Sequence, residues 1–251
     1  LAAGIINRML GFIPRIALPR IIGPEGVGLY QMALPLLMVI ITVISGGIPL
    51  AVAKLTAEAE AEGNRRKSAA VLKVSLAVAV ALSLVFALLC LRFADWIAHH
   101  FFTDPRVKLP FLAMAPVMVI IAVSSVLRGY FQGLHDMVPT ALSQLTETML
   151  RIVFVLLLSS LLLPKGVHYG AAGAMLGVAA GELGGLAVLV AKWRAERRKA
   201  ERQDNRRFAS GITGQLLKIA LPVTGSRLVG SGSYFLESVL IVQMLAAAGV
   251  A

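Results

Sequence analysis

Residues 30–53 read "YQMALPLLMVIITVISGGIPLAVA", 24 consecutive positions without a charged side chain. A helix rises about 1.5 Å per residue, so about 20 apolar residues cross the roughly 30 Å of hydrocarbon in a bilayer. The stretch shows no period-two alternation of the kind a barrel strand needs, which leaves a membrane helix as its reading. Further apolar blocks recur at roughly 69–91, 108–128, 138–163, 170–191 and 216–246, and an apolar opening segment precedes residue 30. The chain therefore reads as an all-α, polytopic membrane protein with seven crossings.

Composition agrees. Of 251 residues 58% are hydrophobic and 15% charged, with mean hydropathy +0.82, against about 25% charged in a typical soluble domain. The net charge of +11 would suggest nucleic acid in a soluble chain, but eight of the 24 basic residues fall in "KWRAERRKAERQDNRR" (192–207) and four in "KLTAEAEAEGNRRK" (54–67). Both runs lie between apolar blocks, where the positive-inside rule accounts for them without a nucleic-acid partner. If the chain starts inside and crosses at each block, the inner segments 54–73, 128–137 and 192–218 carry fifteen Lys/Arg and the outer ones four. The basic loops are therefore expected on the cytoplasmic side of the membrane.

The single cysteine, Cys90, lies in an apolar block and excludes an internal disulfide or a multi-cysteine zinc site. His99-His100 are adjacent on the chain and diverge on a helix. With no nucleotide-binding loop and no Gly-x-Ser-x-Gly, neither an enzyme nor a cofactor or metal is expected. Small residues at spacings of three to four, as in "YGAAGAMLGVAAGELGG" (169–185), predict close helix packing. Pro35, Pro49, Pro116 and Pro222 lie inside blocks and predict kinks. The abrupt ends at Leu1 and Ala251, with a faint repeat relating 20–28 to 243–251, suggest a piece of a two-halved protein. Residues 1–191 would be a first six-helix lobe, 192–215 a basic linker and 216–251 the first helix of a second lobe.

Ionisable residues inside the blocks are the functional candidates. Arg8 and Arg15 in "NRMLGFIPRIALPRIIGPEGVGLY" (7–30) share one helical face, and Arg20 lies near the outer rim. A central arginine costs about 2.5–3.5 kcal/mol to insert, so the first two must meet water, an anionic ligand or carboxylates of other helices. Glu147 and Arg151 have the spacing of an intrahelical pair. Glu182 has no local partner. Arg227 and Glu237 sit in the seventh block, and the repeat alignment sets Glu237 beside the Arg15 position. Related helices of two halves would then face each other across a cavity.

These stretches, with "SGGIPLAVAKLTAE" (45–58), "LRGYFQGLHDMVPTALSQLTE" (127–147) and "LLKIALPVTGSRL" (216–228), resemble the stage V sporulation protein B and polysaccharide-transporter branch of the multidrug/oligosaccharidyl-lipid/polysaccharide exporter superfamily. The Arg-Gly-x-x-Gln-Gly signature (Arg128, Gly129, Gln132, Gly133) and the Gly-Pro-x-Gly-x-Gly-x-Tyr loop (Gly23, Pro24, Gly26, Gly28, Tyr30) carry the likeness. It implies two six-helix lobes, alternating access and export of sugars on a polyprenyl pyrophosphate. Related lipid II flippases carry an Arg-x-Leu-Gly-Phe element and further cavity arginines on their first helix. By position these fall on Arg8, on Arg15 after a one-residue insertion, and on Arg20. The resemblance thus implies a flippase whose arginines contact phosphate; a monomer is expected, with a proton or monovalent cation as candidate coupling ion. A cation-coupled multidrug exporter and a non-transporting membrane scaffold are the alternatives.

Overall fold

The computed structural model describes residue 7, residues 9–101, 105–200 and 211–247. Among them the chain is helical throughout: α1 (Phe12–Ser45), α2 (Ile48–Ala61), α3 (Arg65–Arg92), α4 (Ala94–Phe101), α5 (Lys108–Leu112), α6 (Ala115–Gly133), α7 (Val138–Leu162), α8 (Val167–Ala200) and α9 (Ile212–Ala247). Short 3-10 turns occupy Pro105–Val107 and Leu163–Lys165. Five stretches are long and apolar enough to span a bilayer, namely Phe12–Ala61, Arg65–Arg92, Lys108–Gly133, Val138–Lys165 and Val167–Glu196.

The first of these holds two antiparallel segments. Gly23 has φ 71° and ψ 174°, a left-handed, non-helical conformation open to glycine, and Pro24 follows it. Glu25 pairs with Arg106 at 2.5 Å, and a Cβ on Gly170 would meet the Ile22 side chain at 3.1 Å, so Gly23 sits at the end of the bundle formed by 105–107 and 163–170. From there 24–45 runs to the opposite end, where Gly47 lies against Ala220 and Pro49 and Ala53 lie against Gly129 and Gly133. The segment 12–22 returns along α7 and α8, with Leu18 and Ile22 in one buried cluster with Val155 and Ala174. We call the end holding residues 54–67 and 128–137 the basic end.

The proline expectation changes in two places. Pro49 and Pro116 do not kink helices; they occupy the first turns of α2 and α6. There the missing N–H has no helical partner to lose, and the ring presets φ. The breaks fall just before them, at Gly46-Gly47 and Ala113-Met114. Pro35 and Pro222 do lie inside α1 and α9. Beyond Gly47 the chain stays helical into the basic run, since "KLTAEAEA" is built from strong helix formers.

Backbone contact through glycine holds the helices. Each Cβ added to Gly173, Gly177 or Gly181 of α8 would come within 2.6 Å of an α7 atom, the worst at 2.4 Å from Val155 Cα and N. Gly129 and Gly133 of α6 do the same to α2, at 2.5 Å from Pro49 O and 2.6 Å from Ala53 O. In a membrane, where lipid is as apolar as leucine, such approach supplies much of the packing energy. The main core, including Leu29, Ile44, Val52, Leu72, Phe111, Met118, Leu127 and Phe131, lies among α1, α2, α3, α5 and α6.

Candidate functional site

Three helices bring four charges together. Arg128 near the end of α6 donates from Nη2 to Glu147 Oε2 at 2.5 Å. Arg151, one turn along α7, reaches Glu147 Oε1 at 3.0 Å and donates a longer bond to Thr148 Oγ1 at 3.4 Å. Glu182 of α8 lies 3.9 Å from Arg128 Nη2. One carboxylate, Glu147, thus serves two guanidinium groups. Its side chain and that of Glu182 are both only 8% exposed. Glu182 Oε2 and Arg128 Nε are buried without a hydrogen-bond partner among the described residues. Gly185 makes the closeness possible: a Cβ there would meet Glu147 Cβ and Ser143 O at 3.0 Å.

The four charges sum to zero, which lowers the cost of burying them. The shared signature divides its labour accordingly. Gly129 and Gly133 face α2, Arg128 turns to Glu147, and Gln132 is exposed. The Glu147–Arg151 pair expected from spacing is present. Its bridge to Arg128, nineteen positions away, is an addition that spacing within one helix cannot show.

The facing of α7 is unequal. Leu142, Met149, Val153, Leu157 and Leu161 are all exposed. At about 100° per residue they span an arc from about 200° to about 320° measured from Glu147, which is the lipid-facing side. On the same scale Arg151 lies at about 40° and Gln144 at about 60°, on the opposite side. Yet Gln144 is exposed and Arg151 keeps 34% of its side-chain surface. Both therefore keep accessible surface on the side of α7 turned away from the lipid-facing arc. Thr140, Ser143, Gln144, Glu147, Thr148 and Arg151 make this half of the inner face polar, and the Leu18–Val155–Ala174 cluster closes it toward the Gly23 end.

The arginines of α1 fall on opposite sides. Arg15 lies within about 20° of Ile22 around the helix, on the stripe that packs against α7 and α8. Unlike Ile22 and Leu18 it is exposed, and no ion pair engages it among the described residues. Arg20 lies about 160° round from Ile22 and lines a shallow apolar groove of about 450 Å³ with Ile13, Ile16, Ala17 and Ile21. Arg8 lies outside the described residues. Arg227 and Glu237 of α9 are exposed. Among the described residues no cluster of metal-ligating side chains occurs.

Solved structures match this all-helical membrane bundle. The fold resembles MATE transporters: one in complex with MaD3S gives a TM-score of 0.73 at 18% identity over 93% of this chain and 52% of that one. An outward-facing MATE family transporter of the MOP superfamily gives 0.65, over 90% and 50%. Residues 1–251 match the family model described as polysaccharide biosynthesis protein. The chain belongs to that family, in the polysaccharide-transporter branch of the MOP superfamily. It is 45% identical to stage V sporulation protein B of Bacillus subtilis (strain 168) over 100% of this chain and 49% of that protein. It is 25% identical to the lipid II flippase MurJ of the same organism over 75% of this chain and 37% of that protein. The chain spans about half the length of stage V sporulation protein B and of the MATE structures.

Proposed function

We propose that this chain supplies the first lobe, and the first helix of the second, of a flippase that carries a lipid-linked saccharide or peptidoglycan precursor across the bacterial cytoplasmic membrane. Residues 1–191 form the lobe, 192–215 the linker and 216–251 the first helix of the second half. The basic end faces the cytoplasm, consistent with the excess of Lys/Arg there.

The observation that carries this reading is Arg15. It is an exposed cation on the bundle-facing stripe of α1, beside the open polar half of α7, and no carboxylate neutralises it among the described residues. A guanidinium stays charged at all working pH and binds phosphate oxygens through a planar fork. The polyprenyl (pyro)phosphate of such a precursor supplies the complementary anion. Arg8, seven residues before Arg15 in the sequence, is the candidate to extend the stripe. Breaks at Gly23 and Gly46-Gly47 and the side-chain-free contact of Gly47 with Ala220 provide places for two lobes to rock between inward and outward states.

The test is translocation of a lipid-linked precursor in vesicles by the full-length protein carrying Arg15→Ala, alone and with Arg8→Ala. A loss of about ten-fold or more at normal expression is expected for removal of a charge-assisted phosphate contact. Unchanged flipping sinks the reading. A cation-coupled exporter has one observation in its favour, the unpartnered carboxylate oxygen of Glu182. It would show as drug sensitivity in Glu182→Gln cells with precursor flipping intact.

A further inference from the structure

Arg151 is held by one corner. Only Nη2 is engaged, by Glu147 and Thr148, while Nε and Nη1 have no partner among the described residues. Its side chain keeps a third of its surface although it points away from the lipid side of α7. Glu147 cannot swing after it, because Arg128 grips the other carboxylate oxygen at 2.5 Å, and glycine at 181 and 185 lets α8 press against its backbone. The guanidinium is therefore held by Nη2, with three of its five N–H donors without a protein partner among the described residues.

Arg15 stands at a neighbouring depth on α1. Leu18 and Val155 belong to one packed cluster. Moving toward the basic end, Arg15 is about 4.5 Å along its helix from Leu18 and Arg151 about 6 Å along its own from Val155. The two arginines occupy neighbouring depths on facing helices, below the same apolar closure. Glu147 is shared between Arg128 and Arg151, and Glu182 stands against Arg128, so the four-residue cluster is neutral and Arg15 adds one cation without a carboxylate partner among the described residues.

We propose that Arg151 is an anion-contacting residue that, with Arg15, forms a two-sided clamp for the pyrophosphate of a polyprenyl-linked substrate, and that Arg128 and Glu147 are positioning residues holding it there. The inference rests on the flippase reading. A diphosphate offers oxygens on both phosphorus atoms and so fits two forks from opposite sides, whereas a monophosphate satisfies one. Glu147 already takes part of the Arg151 charge, which tempers the grip and leaves the anion releasable.

The test is equilibrium binding of polyprenyl pyrophosphate, polyprenyl monophosphate, neutral polyprenol and inorganic pyrophosphate to the full-length protein in nanodiscs. Arg151→Gln leaves Glu147 paired with Arg128, and Arg151→Lys keeps a cation beside Glu147, so both variants leave the buried carboxylate with a counter-charge. Thermal unfolding checks both. Arg151→Gln is expected to weaken polyprenyl pyrophosphate about 10- to 100-fold, the range for a charge-assisted bond. It should weaken the monophosphate much less and leave polyprenol unchanged. Arg151→Lys, a point charge without the fork, should fall between. Equal loss for inorganic pyrophosphate places the clamp on the anion alone; loss confined to the lipid form adds the chain to recognition. Wild-type affinity in folded Arg151→Gln overturns the clamp, and if Arg15→Ala still weakens binding the flippase reading survives it. A wild-type protein that binds none of the phosphorylated probes overturns both.

Discussion

Helices α3 and α7 both turn polar residues inward, and they do so to opposite effect. On α3 the inward stripe is Ser68, Leu72, Ser75, Ala79, Ser83 and Ala87, each buried, with the Ser75 and Ser83 side chains fully enclosed. On α7 the stripe is longer-armed and partly open, with Gln144 exposed and Arg151 only partly covered. Short hydroxyl side chains let helices close up; Ser83 turns its Oγ back to Val80 O at 3.0 Å. Long charged side chains need either a counter-charge or room, and where Glu147 and Arg151 meet α8 it is glycine at 181 and 185 that keeps the helices close. Polarity in a membrane helix thus has two meanings, and side-chain length separates them before any partner is known.

The comparison can be broken at its strongest point first. Glu147→Ala strands Arg128 and Arg151 without their shared carboxylate and should cost about 3–5 kcal/mol, the range for removing one partner of a buried pair. Thermal unfolding in detergent measures it; a stable variant means the cluster is solvated and not buried. Ser75→Leu overfills the closed stripe of α3 and should cost about 1–3 kcal/mol. The open face should accept Gln144→Leu with a change below about 0.5 kcal/mol. Labelling sharpens the contrast without perturbing packing. In a Cys90→Ala background, Gln144→Cys should react with a water-soluble thiol reagent about ten-fold faster than Ser75→Cys, whose access requires local opening. Equal rates would dissolve the distinction. The smallest effect belongs to the lipid side, where Val153→Ala should stay within about 0.5 kcal/mol.

Much of this was legible in the sequence, and for definable reasons. Block length alone yields the bundle, because a helix must match the hydrocarbon thickness. Four-residue spacing gives the Glu147–Arg151 pair, and the glycines of 169–185 announce a close helix contact without naming α7 as its partner. What escapes is relational. Arg128 meets Glu147 across two helices, and no spacing rule reaches over a connection. Pro49 and Pro116 read as kinks because a proline in an apolar run looks the same whether it bends a helix or begins one. Gly46-Gly47 was the available signal for the first. Arg15 and Arg20 are five residues apart and equally charged; only the packing of Leu18 and Ile22 shows that one faces the bundle and the other a groove.

The turn at Gly23 has a consequence for how the protein is made. The segment 12–22 carries Arg15 and, nearer the rim, Arg20; an arginine at a helix centre adds about 2.5–3.5 kcal/mol to the cost of entering the bilayer, and one near the rim less. Its neighbour 24–45 has no basic residue and a single acid, Glu25, at its rim. One non-helical glycine separates them, too short a connection for either to leave the insertion machinery alone. The pair should therefore partition as a helical hairpin, the second arm carrying in a first arm too polar to enter unaided. A longer, looser linker at Gly23 would strand the arginine arm at the surface during synthesis, although the folded bundle could accommodate the extra residues.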